Sequence, residues 1–162
     1  MSIFMNYEGL KGESTDKNHK DWIDVDHLSW GVRRNITSNT ATSKDRESAN
    51  AEITDLTLTR RMDKATPDLF VESCCGKGKD VVIHLCKTGT GSGTDTYMEY
   101  TLKNALISNY TVNAGSQSDD RPRESVTISF QKVELKYTPY DDNGQAEASI
   151  AVGFDTTTNE KA

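Results

Sequence analysis

Three sets of residues have types and spacings that could do chemistry. Gly89, Gly91 and Gly93 stand where a phosphate-cradling loop would offer free backbone amides to an anion. No Lys-Ser/Thr follows them, and the next segment alternates as a strand instead of opening a helix, so the triplet reads as a hairpin turn. His19, His27, Asp24 and Asp26 are imidazoles and carboxylates of the kind that gather a metal ion. On a strand, however, Asp24 and Asp26 share a face that His27 leaves, and no metal is expected. Cys74 and His84 could be drawn as a nucleophile and its base. Cys74 falls on the apolar stripe of a predicted helix, with nothing local to favour its thiolate, so it reads as a small core cysteine. No G-x-S-x-G elbow, H-E-x-x-H pair or pair of carboxylates in an apolar setting occurs. Neither an enzyme nor a cofactor is expected.

The elements that must position these residues are mostly strands. Period-2 alternation in segments rich in Thr, Val, Ile and Tyr suits a pleated, half-buried surface. Ile23 and Val25 share one face while Leu28 and Trp30 take the opposite parity, which predicts a β-bulge near Asp26-His27. The same change at Gln131-Lys132 predicts a long, bent strand from Val126 to Tyr137. Further strands are expected at Ile3 to Tyr7, Ile53 to Met62, Val81 to Lys87, Tyr97 to Lys103, Leu106 to Val112 and Ala148 to Phe154, about eight in all. Asp141-Asp142-Asn143-Gly144 offers Asn-Gly as a tight turn. One helix is expected, opening at Thr66-Pro67-Asp68 with Thr as cap and Pro at its first position, and closing at Gly76. Its stripe Leu69, Phe70, Ser73, Cys74 would lie on the sheet. Two polar stretches, Asn35 to Asn50 and Asn113 to Arg123, read as long loops.

Composition narrows the function classes. The 162 residues fit one domain, taken as 1–162. The longest uninterrupted apolar run is Val81-Val82-Ile83, which argues against a spanning helix and membrane insertion. A net charge of -6 with scattered basic residues disfavours nucleic acid as a partner. The N-terminus carries no recognisable export signal. Three cysteines, two of them adjacent, match neither an even disulfide framework nor a zinc knuckle, which favours folding in a reducing cytosol. Asn35-Ile36-Thr37 and Asn109-Tyr110-Thr111 match a glycosylation pattern that means little without such a signal. Trp22, Trp30, Tyr97, Tyr100, Tyr110 and Tyr137 cannot all fill one small core, and a subunit interface could take the remainder.

The run from Leu10 to His19 (Leu-Lys-Gly-Glu-Ser-Thr-Asp-Lys-Asn-His), followed by Trp22-Ile23-Asp24-Val25 and Leu28-Ser29-Trp30-Gly31, resembles the N-terminal signature of the hemolysin-coregulated protein (Hcp) family. This family builds the tube of bacterial type VI secretion systems. The resemblance continues through Leu56-Thr57-Leu58-Thr59-Arg60, Met62 to Leu69 and Tyr100 to Ser108, and closes with Glu124 to Val133 and Tyr137-Thr138-Pro139. It implies a mainly β fold, a small antiparallel β-barrel with one flanking α-helix, as the subunit of a hexameric ring. Rings would stack into a hollow tube related to phage tail tubes. The implied partners are further copies of the chain, the spike, sheath and baseplate components, and small effector proteins carried and chaperoned in the lumen. The implied route runs from the bacterial cytoplasm to the outside through the apparatus, without a signal peptide.

Residue by residue the resemblance carries less. Ser29 matches the family's lumen-facing position, and alternation sets it opposite Leu28 and Trp30. The stretch Val32 to Asn50 takes the place of the family's extended loop, with Arg33, Arg34 and Arg46 as the expected charged contacts at a subunit interface. Cys74-Cys75 and Val81-Val82-Ile83-His84 depart from the family pattern. The end soon after Gly153-Phe154-Asp155 is expected to leave no room for the C-terminal toxin domain that some relatives carry. Two rival readings are a monomeric β-barrel binding module, with a small ligand held by the two polar loops, and a secreted enzyme using Cys74 and His84.

Overall fold

The computed structural model describes residues 1–36, 42–47, 49–89 and 93–162. In chain order the elements are β1 (Ser2–Tyr7), β2 (Ile23–Val25), β3 (His27–Ser29), β4 (Val32–Arg34), α1 (Ser43–Glu47), β5 (Ala51–Ile53), β6 (Leu56–Arg61), α2 (Thr66–Cys75), β7 (Lys79–Thr88), β8 (Thr94–Asn113), β9 (Arg123–Ser129), β10 (Lys132–Tyr137), β11 (Ile150–Asp155) and β12 (Glu160–Lys161).

Antiparallel pairing closes a barrel. β1 lies between β2 and β7, β7 pairs the first half of β8, and the second half of β8 pairs β9. β9 pairs β6, and β6 pairs β3, which returns to β2 through the single residue Asp26. β10, β11 and β12 extend the sheet outward from the first half of β8. Alternation fills the interior: Ile3, Met5, Tyr7, Leu56, Leu58, Val126 and Ile128 all point inward and are buried. Each such Leu or Ile contributes about 1.5–3 kcal/mol of burial.

Both expected phase shifts are present. The chain breaks between β2 and β3 at Asp26, whose amide donates to Thr59 O at 2.9 Å. It breaks again between β9 and β10, where Gln131 donates to Lys103 O at 3.1 Å. A strand that must leave one sheet and enter another has to change face, and a bulge does so in one residue.

Among the described residues twelve strand segments replace the expected eight, for three physical reasons. Bent strands divide at their bulges, and two unexpected short strands, β4 in the arm and β12 at the C-terminal edge, add to the expected set. The segment Ile53 to Met62 also splits into β5 and β6, because Thr54 turns aside to bond Gly31 through both its amide and its hydroxyl. In the other direction, Tyr97 to Lys103 and Leu106 to Val112 fuse into the 20-residue β8. Asn104 at its middle takes φ +52, a left-handed conformation that asparagine tolerates, where β8 passes from one sheet to the other.

The helix needs more correction. A second, short helix, α1, occupies part of the stretch expected to be an irregular loop. α2 starts where expected, but Thr66 is not its cap: Ala65 is, and the Asp63 carboxylate holds the Ala65 amide at 2.8 Å. Gly76 closes α2 in an extended conformation, and a Cβ there would stand 2.5 Å from Glu72 O. Of the expected apolar stripe only Leu69 is buried; Phe70 is 54% exposed and Cys74 is exposed. The helix buries Ala65 and Leu69 and sets Phe70 edge-on against Tyr110 of β8 at the margin, so the rest of its stripe meets solvent. Cys74 is therefore not a core cysteine; of the three cysteines Cys86 on β7 is the buried one, and it lies outside the barrel core.

Candidate assembly surface

The outward side of the β3-β6-β9-β8 sheet carries short polar residues because the inward side takes the alternate positions. Ser29 pairs with Thr57, Thr57 with Thr127 and Thr127 with Asn109 across four neighbouring strands. Thr57 and Thr127 hydroxyls meet at 3.2 Å. One register step away, Thr59, Ser125 and Thr111 repeat the row. Ser29 is exposed, while Leu28 and Trp30 pack against the core, as alternation requires. The result is a strip of uncharged Ser, Thr and Asn side chains across four strands.

β4 and β5 pair with each other in a separate two-stranded sheet and form an arm closed at its base by Gly31 and Thr54. Arg33 donates to Glu52 at 2.9 Å, an exposed ion pair of small worth. Arg34 braces the arm from within, donating to Ala49 O at 3.0 Å and Glu47 O at 2.6 Å. Arg46 lies on α1 within the same arm. Val32 and Ile36 are exposed here; Tyr137, Ile150 and Val152 form a second exposed apolar group on β10 and β11. Residues 37–41 and 48 of the expected loop lie outside the described residues.

Such a chain has the parts of an assembly unit: a closed core, an arm that stands off it, and apolar side chains left exposed on the arm, on β10 and β11, and on α2 and β8. The family "Type VI secretion system effector, Hcp" matches residues 4–137. This chain belongs to the Hcp family. The Hcp1 protein of Pseudomonas aeruginosa is 29% identical over the whole of this chain and 99% of its own length. A solved type six secretion system protein superposes with a TM-score of 0.90 at 26% identity, covering 99% of both chains. A type VI secretion system effector from Yersinia pestis gives a TM-score of 0.71 at 25% identity, over 94% of this chain and 98% of its own. Membership makes this Hcp chain a structural protein of the secretion tube family and not a member of a known enzyme family. Among the described residues no helix is long and apolar enough to cross a membrane.

The other candidate sets come apart in this Hcp fold. Cys74 is exposed at the end of α2, whereas His84 on β7 is engaged elsewhere. Among the described residues no three His, Cys, Asp or Glu side chains form a metal-holding group. His19 is buried and His27 exposed, so the set His19, Asp24, Asp26, His27 does not converge. The Gly89 amide donates to Gly93 O at 3.0 Å; Thr90, Gly91 and Ser92 lie outside the described residues. Asn143-Gly144 is the expected tight turn, with Gly144 at φ +77. The two polar loops line separate clefts, one by Arg33, Arg34 and Glu52, the other by Asn113, Ser118 and Arg121. Among the described residues these two clefts have no lining residue in common.

Sequence reasoning missed two buried polar constellations. Arg60, 1% exposed, donates to Asp63 at 2.6 Å and to Glu124, which also accepts from Tyr110 at 2.6 Å and Thr66 at 3.2 Å. The parity of β6 sends Arg60 inward with Leu56 and Leu58, the one signal that could have revealed it. The second lies outside the barrel wall. Phe4, His84 and Cys86 sit on the β1-β7 face turned away from the core, and the 10–22 segment folds over them. His19 stacks on Phe4 with ring centroids 4.4 Å apart. Its Nδ1 meets Asp16 at 2.7 Å and its Nε2 meets His84 Nδ1 at 2.9 Å; His84 Nε2 lies 3.3 Å from Glu99. Burial pushes the Cys86 thiol up, and burial pushes the His84 imidazole down against the pull of Glu99. At Asp16 burial is outweighed by hydrogen bonds from His19 and Thr94, which hold its carboxyl below the usual range.

Proposed function

We propose that this Hcp chain is the subunit of a hexameric ring that stacks into the inner tube of a type VI secretion system and carries small effectors in its lumen. The observation that carries the reading is full-length likeness to a type six secretion system protein at a TM-score of 0.90, together with the family match over residues 4–137. A heterologous interface repeated six times closes a ring laterally and leaves its two faces open for stacking. Exposed Val32, Ile36, Tyr137, Ile150 and Val152 supply apolar surface for such contacts, and a stable interface needs about 800 Å² per partner.

Within the ring, Ser29 faces the channel, in a strip of Ser and Thr that offers hydrogen bonds without strong preference for one cargo. The arm reaches a neighbouring subunit or ring, with Arg33, Arg34 and Arg46 at the contact. Residues 1–162 act as one barrel domain without catalysis or cofactor. The partners are its own copies, the spike, sheath and baseplate, and small effector proteins, not nucleic acid or membrane. It waits in the cytoplasm and leaves the cell with the tube.

Light scattering on a size-exclusion column tests the assembly. A mass of about 108 kDa, six chains of 18.0 kDa, is expected, and 18.0 kDa at high concentration overturns it in favour of a monomeric binding module. Ser29→Trp then keeps the ring mass while lowering the amount of small protein that co-purifies. Unchanged cargo would remove Ser29 from the lumen.

A further inference from the structure

Asp16, His19, His84 and Glu99 stand in a row with three polar gaps: 2.7 Å, 2.9 Å and 3.3 Å. Each gap joins two acceptors unless a proton lies in it, because a carboxylate only accepts and a bare ring nitrogen only accepts. Two neutral imidazoles bring two protons, which leaves one gap unfilled. Two imidazolium ions bring four and set two N–H groups against each other across 2.9 Å. One extra proton on the pair fills all three gaps.

We propose that His19 and His84 hold one shared proton between Asp16 and Glu99, forming a pH-sensitive clamp that fastens the 10–22 segment to β7 and β8. The clamp stands apart from the assembly reading and needs only the single chain. It ties three distant stretches, since Asp16 also accepts from the Thr94 hydroxyl at 3.0 Å and Asn18 donates to Thr94 O at 2.9 Å. Trp22 covers it, its ring 4.8 Å from His19 and 4.7 Å from His84. The groups facing the pair are Asp16 from the 10–22 segment, Cys86 from β7, Glu99 from β8 with Asp95 beside Cys86, and Lys136 from β10. Thr96 on β8 touches both His84 Nδ1 at 3.2 Å and Cys86 at 3.4 Å and completes the cage. A second proton on His84 is disfavoured by burial and by the charge of His19.

The consequence for stability has a definite sign. In the unfolded chain two free histidines hold two protons below about pH 6.5 and none above it, whereas the folded pair holds one. Below that pH unfolding takes up a proton, so stability rises with pH. Above it unfolding releases one, so stability falls as pH rises. The pair therefore contributes a maximum near pH 6.5, with the unfolding equilibrium constant changing up to about tenfold per pH unit on either limb.

The test is urea unfolding of the full chain at fixed protomer concentration from about pH 5 to about pH 8, the range in which only histidine titrates widely. The wild type is expected to show both limbs. His84→Gln is expected to lose the acid limb, because one histidine then holds one proton in both states. His27→Gln, exposed on β3 and outside the row, should keep both. Parallel profiles for wild type and His84→Gln overturn the clamp, and so does loss of the acid limb in His27→Gln. If His84→Gln does not fold, ring-nitrogen NMR of the wild type near pH 6.5 decides directly. One bare nitrogen among the four of the pair supports the clamp; two or none overturns it.

Discussion

Replacing Arg60 by Met should expose how much of the barrel's stability hangs on one buried cation. The guanidinium is 1% exposed and meets two carboxylates that are nearly as buried, Asp63 at 6% and Glu124 at 0%. Met keeps most of the side-chain volume, so the change strands charge without opening a large void. Removing one partner from a buried ion pair costs about 3–5 kcal/mol, because the other charge stays desolvated. Here Glu124 keeps donors from Tyr110 and Thr66, which places the expected cost nearer about 3 kcal/mol. That is roughly a hundredfold or more in the unfolding equilibrium, readable from urea curves of unchanged slope. The double variant Arg60→Met, Glu124→Gln should recover part of the loss, since a neutral amide has no charge to strand. A single-variant cost under about 1 kcal/mol would refute the reasoning, as would a double variant less stable than the sum of the two single changes.

Three further outcomes follow from buried groups. Burial pushes Tyr7 up to about 12, with Glu72 adding to it, and burial with the Glu124 carboxylate does the same at Tyr110. Both phenols should ionise late in a phenolate absorbance titration, and because each resists ionising in the fold, stability should fall as pH rises from about 10 toward 12. Tyr7→Phe should leave stability unchanged or raise it, because the buried Tyr7 hydroxyl has no hydrogen-bond partner among the described residues; a loss above about 1 kcal/mol would contradict this. Gly12→Ala should cost about 1–3 kcal/mol and lower Tm, since its Cβ would stand 2.5 Å from Trp22 O and 2.7 Å from Ile23 Cα, both backbone atoms that cannot swing aside.

Much of the strand order was legible because period-2 alternation is local: a residue's parity depends only on its neighbours in the chain. That is why the phase shift at Asp26 and the bend before β10 could be read directly. Ser29 opposite Leu28 and Trp30 follows from the same rule. The family signature from Leu10 to Pro139 is also a property of residue order, and the family match over residues 4–137 agrees with it.

Tertiary structure decided what local rules cannot reach. Whether Phe70 and Cys74 are covered depends on how much sheet lies under α2; Phe70 meets only the edge of the Tyr110 ring and stays 54% exposed, and Cys74 is exposed. Whether Tyr97 to Val112 is one strand or two depends on which partners flank each half, and β8 has different neighbours at its two ends. His19 and His84 are 65 positions apart, and only barrel closure with the 10–22 segment folded over its wall sets their nitrogens 2.9 Å apart. Arg60 and Glu124 are brought together in the same way, across the β6-β9 register. Periodicity determines which face a side chain takes; only chain closure determines which other side chain it meets there.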